Sequence, residues 1–290
     1  MTHKLALTFL ACMWLLIGQM KADDNRTQML ISAEDLSNLI TRGSAGLLIL
    51  DVQAKEKYDA GHIKGARWLD LAKWREQATK SNGMHDAPAW SELLGQSGIH
   101  NEQTIVLVGD NLTDSARAWW LLRYLGFEGA KLLDGGYTYW NAQGLPTTPN
   151  MRPMIGTQPK INFDGARLAE LSDMKPDSVI SCQVVDNRSD GEYAGTVSRG
   201  GRGGHVPGAK HLEWTKFLKE DGRFLDADSL AEVVRSAGIE LDKPMVAHCQ
   251  TGGRSSVGVF ALELAGGKDV KNYYNGWSEY SVDDSVPVEK

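Results

Sequence analysis

The segment LLILDVQAKEKYDAGHIKGARWLD, residues 47–70, returns later in the chain as CQVVDNRSDGEYAGTVSRGGRGGHVPGAKHLEW, residues 182–214. Asp51 aligns with Asp186, Tyr58 with Tyr193, His62 with His205, and Gly65-Ala66 with Gly208-Ala209, and the second copy carries eight extra residues. Further on, residues 97–137 (SGIHNEQTIVLVGDNLTDSARAWWLLRYLGFEGAKLLDGGY) match residues 237–277 (AGIELDKPMVAHCQTGGRSSVGVFALELAGGKDVKNYYNGW) without a gap. A repeat of this length makes each copy a folding unit of ordinary domain size, and 290 residues accommodate two. The expected domains are 31–148 and 163–290, with a linker at 149–162. Four of the nine prolines fall in 141–160, where they favour extended backbone.

Within each copy, short apolar runs alternate with helical patterns. GLLILDV and TIVLVGD read as strands in the first copy, CQVVD and PMVAHC in the second. SLAEVVRSAG reads as a helix with Ser229 and Glu232 as a capping box and Gly238 just beyond it. SARAWWLLRYLG and SSVGVFALELAG are apolar almost throughout, as suits helices lying on a sheet, and Trp119 and Trp120 are read as core. The pattern predicts an α/β fold, each domain a mainly parallel sheet flanked by helices. Ligands bind such sheets beyond the carboxyl ends of the strands, which is where the residues after PMVAH fall.

The first residues, MTHKLALTFLACMWLLIGQMKADD, have Lys4 in a basic lead, an apolar run from Leu5 to Ile17 and Ala22 as a cleavage point. The run is shorter than the ~20 residues of a membrane-spanning helix, so residues 1–22 read as a signal peptide that includes Cys12. The expected location is outside the cytoplasm, in the periplasm, with no stable membrane insertion once the leader is removed; an uncleaved anchor is the alternative. A net charge of -6 argues against nucleic acid or an anionic membrane surface as partner, so any anion site must be built locally. Beyond the leader stand only Cys182 and Cys249. Cys182, in the β-rich run SVISCQVVD, is expected to be a buried structural thiol, and no bridge between the two is expected.

The stretch HCQTGGRS, residues 248–255, carries the chemistry. Placed between a strand and a helix, Gly252 and Gly253 allow successive N–H groups to point inward. The helix adds the positive end of its dipole, and Arg254 a full charge with a planar fork of donors. An anion fits this bowl, and the same field stabilises a thiolate at Cys249. Two chemistries suit such a nucleophile: attack on a phosphoester, or attack on the outer sulfur of a compound such as thiosulfate. Phosphatase loops that begin with His-Cys place one more residue between cysteine and arginine than the four found here, and the tighter ring suits a persulfide better.

The loop CQTGGRS, the D-x-R of Asp186 and Arg188 and the GHVPGA of 204–209 together resemble the rhodanese family of sulfurtransferases, over nearly all of the chain beyond the leader and in two copies. The resemblance implies two tandem rhodanese-like domains and a double displacement in which Cys249 is the catalytic nucleophile. Cys249 would take sulfane sulfur from a small anionic donor, and a thiophilic acceptor such as cyanide or a thiol would remove it. Gln250, Thr251, Gly252 and Gly253 would cradle the persulfide, Arg254 and Arg188 would bind the donor, and Asp186 would play a supporting part by orienting Arg188 or the loop, a plain surface ion pair being the alternative. Ser255 would donate a hydrogen bond and cap the helix. No metal and no cofactor are implied.

In the first copy Gly109 stands for Cys249, Asp110 follows it, and Asp114 stands for Arg254. That copy resembles the inactive half of two-domain members, kept for packing and for one wall of the site. Those members often carry an arginine where Glu192 stands, and their loops commonly lack one at the position of Arg254. The loop here is more like that of single-domain thiosulfate sulfurtransferases, which favours thiosulfate as donor over 3-mercaptopyruvate. A persulfide carrier that delivers sulfur to a protein partner is the reading from a different class.

Four further features carry expectations. His205 has a counterpart in His62, which points to holding the fold, and His248 is expected in the core because neighbouring strand residues face opposite ways. SRGGRGGH, with Arg199 and Arg202, is either a gate over the cradle or an ordinary surface loop, and Trp277 either walls the pocket or packs.

Overall fold

The apolar runs become strands in a computed structural model that describes residues 26–175 and 182–290. The leader read at 1–22 lies outside the described residues. Twelve short strands form among those that are described: β1 (Leu30–Ile31), β2 (Leu47–Asp51), β3 (His62–Ile63), β4 (Arg67–Trp68), β5 (Thr104–Val108) and β6 (Ala130–Leu133), then β7 (Thr147–Thr148), β8 (Leu168–Ala169), β9 (Gln183–Asp186), β10 (Lys210–His211), β11 (Met245–His248) and β12 (Val270–Tyr273). The first domain's sheet has the order β1-β6-β5-β2-β4 and the second's β8-β12-β11-β9-β10, so the duplication read in the sequence is a duplication of topology. Every pairing in both sheets is parallel. Helices cover the faces of such sheets, which is why the central strands are continuous apolar runs rather than alternating ones. A separate antiparallel pair, β3 with β7, is echoed in the second domain by a bridge between His205 and Glu289.

Two helices join the domains: α1 (Leu112–Tyr124) follows β5, and α2 (Gly253–Leu264) follows β11. Each is apolar nearly all round because one side lies on its own sheet and the other meets the partner helix across the domain seam. Trp119 of α1 meets Phe260 of α2 edge-on with ring centroids 4.7 Å apart, and Trp120 stacks on Tyr274 at 5.3 Å. Both tryptophans are fully buried. The linker stays extended along the first domain, tied by Ser91 Oγ to the Pro159 carbonyl and by Asn101 to Lys160.

Two local expectations are corrected. The helix Ala227–Ser236 starts earlier than read: its N-cap is Asp226, whose carboxylate accepts from the Ser229 N–H, because an aspartate just ahead of the helix outcompetes a serine inside it. Glu232 instead pairs with Arg235. Gly238 does lie just past the helix, at φ 71°. Cys182 is only half-buried, one residue before β9 begins, and burial pushes its thiol up. Both cysteines are free. Among the described residues no helix is long and apolar enough to cross a membrane.

Candidate active site

β11 is buried along its whole length and ends at His248, so Cys249 leaves the carboxyl edge of the sheet with 1% of its surface exposed. The chain reaches α2 through Gly252, whose φ of 87° caps the helix. A Cβ there would lie 2.7 Å from the Tyr274 ring and 2.8 Å from its carbonyl, so the position admits only glycine. Each carbonyl of the loop is then tied down. The Cys249 carbonyl accepts from the Trp277 N–H at 2.7 Å, that of Gln250 from Ser278 at 3.1 Å, and that of Gly252 from Ser256 at 3.0 Å. The Thr251 carbonyl accepts from Arg117 Nη1 at 2.6 Å. In a trans peptide the N–H points opposite the preceding carbonyl, so these anchors turn the N–H groups of Gln250 to Gly253 away from the scaffold. Among the described residues, the N–H groups from Gln250 to Ser255 meet no protein acceptor. With the positive end of α2 behind them, they form a seat for an anion beside the thiol.

The charges around this seat differ from the reading of the sequence. Arg254 is committed to Glu192 in a bidentate pair, Nη1 to Oε2 at 2.5 Å and Nη2 to Oε1 at 2.9 Å. Glu192 lies on the short helix Asp190–Tyr193 after β9 and is 2% exposed. Burial alone would raise its pKa, but the Arg254 fork and Ser189 outweigh burial and hold it at about 2. Burial likewise works against the Arg254 charge, and Glu192 more than offsets it, keeping the guanidinium above its usual range. Arg199 reaches the same carboxylate, Nε to Oε1 at 3.1 Å, with its side chain 63% exposed. The trio of Arg254, Arg199 and Glu192 therefore carries one net positive charge, borne at the surface by Arg199.

Arg188 and Ser255 are not placed to touch a substrate. The Arg188 guanidinium is buried, with Nε 2.9 Å and Nη2 2.5 Å from the Asp186 carboxylate, Nη2 2.8 Å from the Gly204 carbonyl and its carbon 4.2 Å above the Trp277 ring. A carboxylate buried at the end of β9 needs a counter-charge, and Arg188 supplies it. Burial would raise the Asp186 pKa, but His248 and Arg188 outweigh it and the group sits below its usual range. Ser255 lies past the cap, inside the first turn of α2, and its hydroxyl donates to Asn272 Oδ1 at 2.7 Å. His248 is fully buried, its Nε2 3.5 Å from Asp186 Oδ2, and burial lowers its pKa. Gln250 is half-buried and Thr251 exposed at the rim.

His205 stacks on Tyr193 at 3.8 Å and bonds its carbonyl through Nδ1, and His62 does the same with Tyr58, so both histidines brace equivalent turns. Arg202 is no gate: its guanidinium is spread over the carbonyls of Tyr280, Ser281, Asp283 and Val286, clamping the C-terminal segment. Trp277 packs against Arg188 and Tyr280 and anchors the loop through its backbone.

The first domain repeats the frame without the reactive group. The Gly109 carbonyl accepts from Tyr137 as that of Cys249 does from Trp277. A Cβ at Gly109 would lie 2.8 Å from both Ser115 Oγ and Val52, so the space a thiol would need is already filled. Gln53 takes the place of Arg188 on Asp51, and with no cation there, burial pushes Asp51 up to about 6. The outer charges are also reversed: Lys57 stands at the place of Glu192 and Asp114 at that of Arg254, but Lys57 bonds Asp110, which aligns with Gln250, and Asp114 accepts from Asn111.

Sequence reasoning missed Arg117 and the pairing role of Glu192. The first was signalled by an arginine between two alanines, just ahead of the apolar run WWLL, in an otherwise apolar stretch, the second by opposite charges at aligned positions of the two copies. Among the described residues no group of three or more His, Cys, Asp or Glu side chains is arranged to hold a metal.

Comparison with known proteins adds family evidence to this geometry. The family described as Rhodanese-like domain matches the chain twice, at residues 32–143 and 167–283. A protein of Saccharopolyspora erythraea named "Putative thiosulfate sulfurtransferase" is 34% identical over 242 residues, spanning 80% of this chain and 86% of its own. The thiosulfate sulfurtransferase of Gallus gallus is 29% identical over 267 residues, 87% of this chain and 92% of its own. Among solved structures, YnjE superposes with a TM-score of 0.79 at 22% identity, covering 91% of this chain and 68% of that one. The anaerobic ergothioneine biosynthesis enzyme from Chlorobium limicola does so at 0.79 and 21%, covering 91% and 70%. At that identity the two structures establish a shared fold.

Proposed function

This chain belongs to the rhodanese family of sulfurtransferases, and from that premise we propose that its second domain moves sulfane sulfur from thiosulfate to a small thiophilic acceptor through a persulfide on Cys249. The observation that carries the reading is the anchored loop: four consecutive carbonyls, Cys249 to Gly252, are held from outside, and the N–H groups beyond them are left for an anion. In the first half-reaction the Cys249 thiolate attacks the outer sulfur of thiosulfate. A bond forms between Sγ and that sulfur, the sulfur–sulfur bond of thiosulfate breaks, and sulfite leaves with its electron pair. The negative charge now on the terminal persulfide sulfur is met by the loop N–H groups and the start of α2. In the second half-reaction cyanide or a thiolate attacks that terminal sulfur, and the Cys249 thiolate is regenerated.

Arg199 and the cradle attract the donor, while Arg254 is held by Glu192 as a strut at the mouth. Two observations support thiosulfate: the names of the sequence relatives and the compact loop, which suits a small tetrahedral anion. The near-complete burial of Cys249 supports a small acceptor over a protein thiol. The apolar run at 5–17 behind Lys4 supports an exported, periplasmic protein. The test is steady-state kinetics with thiosulfate and cyanide, reading thiocyanate. Parallel double-reciprocal lines and loss of turnover in Cys249→Ser are expected. Intersecting lines, or turnover retained without the thiol, would refute the mechanism, and faster turnover with 3-mercaptopyruvate would replace the donor.

A further inference from the structure

A side chain of the first domain, Arg117, hydrogen-bonds the catalytic loop of the second. Arg117 lies on α1 and is 6% exposed. Its Nη1 donates to the Thr251 carbonyl at 2.6 Å and lies 2.8 Å from the Tyr274 hydroxyl. The guanidinium carbon stands 5.2 Å from the centroid of the Tyr274 ring, and Nη2 is 2.8 Å from where a Cβ on Gly253 would sit. The charge is thus pressed against the first residue of α2. The repeat does not require an arginine here, because the aligned residue of the second domain is Val257, fully buried and apolar.

Arg117's acceptors are a carbonyl and a phenol, both neutral, whereas Arg188 and Arg254 each hold a carboxylate. Among the described residues no carboxylate forms an ion pair with Arg117. A buried cation without a counter-ion is costly unless the counter-charge arrives with a ligand. The cradle beside it is where an anion would sit.

We infer that Arg117 is a positioning residue of the second domain's anion cradle, contributed across the domain seam: it fixes the Thr251–Gly252 peptide and adds an uncompensated positive charge at the start of α2. The inference rests on Cys249 being the nucleophile of that cradle. It gives the thiol-free domain a part in the chemistry beyond packing.

The experiment compares alkylation of Cys249 by iodoacetate, an anion, with alkylation by neutral iodoacetamide. Both need the same thiolate and the same access, so the ratio of their rates reports the cradle's charge and is insensitive to general loosening of the fold. In Arg117→Met the ratio is expected to fall about fivefold, and in Arg117→Lys, which keeps the charge, to stay within about twofold of wild type. Arg117→Gln keeps a donor for Thr251 without the charge and is expected to behave as Arg117→Met, so it serves if the methionine variant does not fold by circular dichroism. His85→Leu removes another contact across the seam, to Glu170, and is expected to leave the ratio unchanged. A wild-type ratio in a folded neutral variant, or an equal fall in His85→Leu, would overturn the inference. No sulfur donor is involved, so failure of the thiosulfate reaction would be seen separately, as wild type that alkylates normally but forms no persulfide.

Discussion

At the scale of single residues, Asp51 and Asp186 are the same aspartate in two electrostatic surroundings. Asp186 is buried against Arg188, while Asp51 is buried against the neutral Gln53 and is pushed up to about 6 from an ordinary value of 3.8. Because the folded form of Asp51 holds its proton more tightly than the unfolded chain, its contribution to stability is greatest below about 3.8 and is lost as pH rises through about 6. Asp51→Asn is therefore expected to melt higher than wild type at pH 8, by at most about 3 kcal/mol, with the advantage gone near pH 4. Glu192 runs the other way. Its carboxylate is held at about 2 against an ordinary 4.5, so its contribution is complete above about 4.5 and is lost as pH falls toward 2. Thermal melts of Glu192→Gln should show lower stability at pH 7 and a smaller drop between pH 5 and pH 3 than wild type. The sequence made the aspartates visible as repeat-matched residues. It also offered Arg188 as the partner of Asp186 through the D-x-R spacing, but not Glu192 as the partner of Arg254, because those two lie 62 residues apart and Arg254 looks free until the burial of Glu192 is known.

At the scale of the element, the loop from Cys249 to Gly252 has its shape imposed by the turn that follows β12. Gly276 has φ 58°, and a Cβ there would lie 2.4 Å from the Cys249 carbonyl. Gly276→Ala is expected to push the loop off its anchor from Trp277 and to slow persulfide formation at least tenfold, a rise of about 1.4 kcal/mol or more in the barrier. Rapid-quench mass spectrometry after mixing with thiosulfate measures it. The strand, glycine bend and helix were legible from PMVAHCQTGGRSS because periodicity and glycine punctuation are local signals. The anchors were not, since Trp277, Ser278 and Arg117 lie at a distance that no local pattern spans. The Ser255 cap and the Ser229 capping box failed for a related reason: each read a residue type correctly but placed the helix start a few residues from where Gly252 and Asp226 put it.

At the scale of the whole molecule, duplication gives two sheets of one topology, and the seam between α1 and α2 turns them into one functional unit. Trp119 fills that seam against Phe260, and Trp119→Ala is expected to cost about 3–5 kcal/mol, read as a lowered chemical-denaturation midpoint. Tandem architecture was the most legible property of the chain, because a repeat is long-range information written directly in the sequence. What the copies do to each other was not legible. The pairing of Glu192 with Arg254, and the reach of Arg117 into the other domain's loop, appear only once both copies stand in one structure. The central claim is that one copy carries a persulfide and the other cannot. Its most direct test is mass spectrometry of the reduced, folded protein after incubation with thiosulfate, with peptide mapping, followed by cyanide. The account predicts one added sulfur atom per chain, located on Cys249 and removed by cyanide as thiocyanate; no added sulfur, or sulfur found on Cys182, would contradict it.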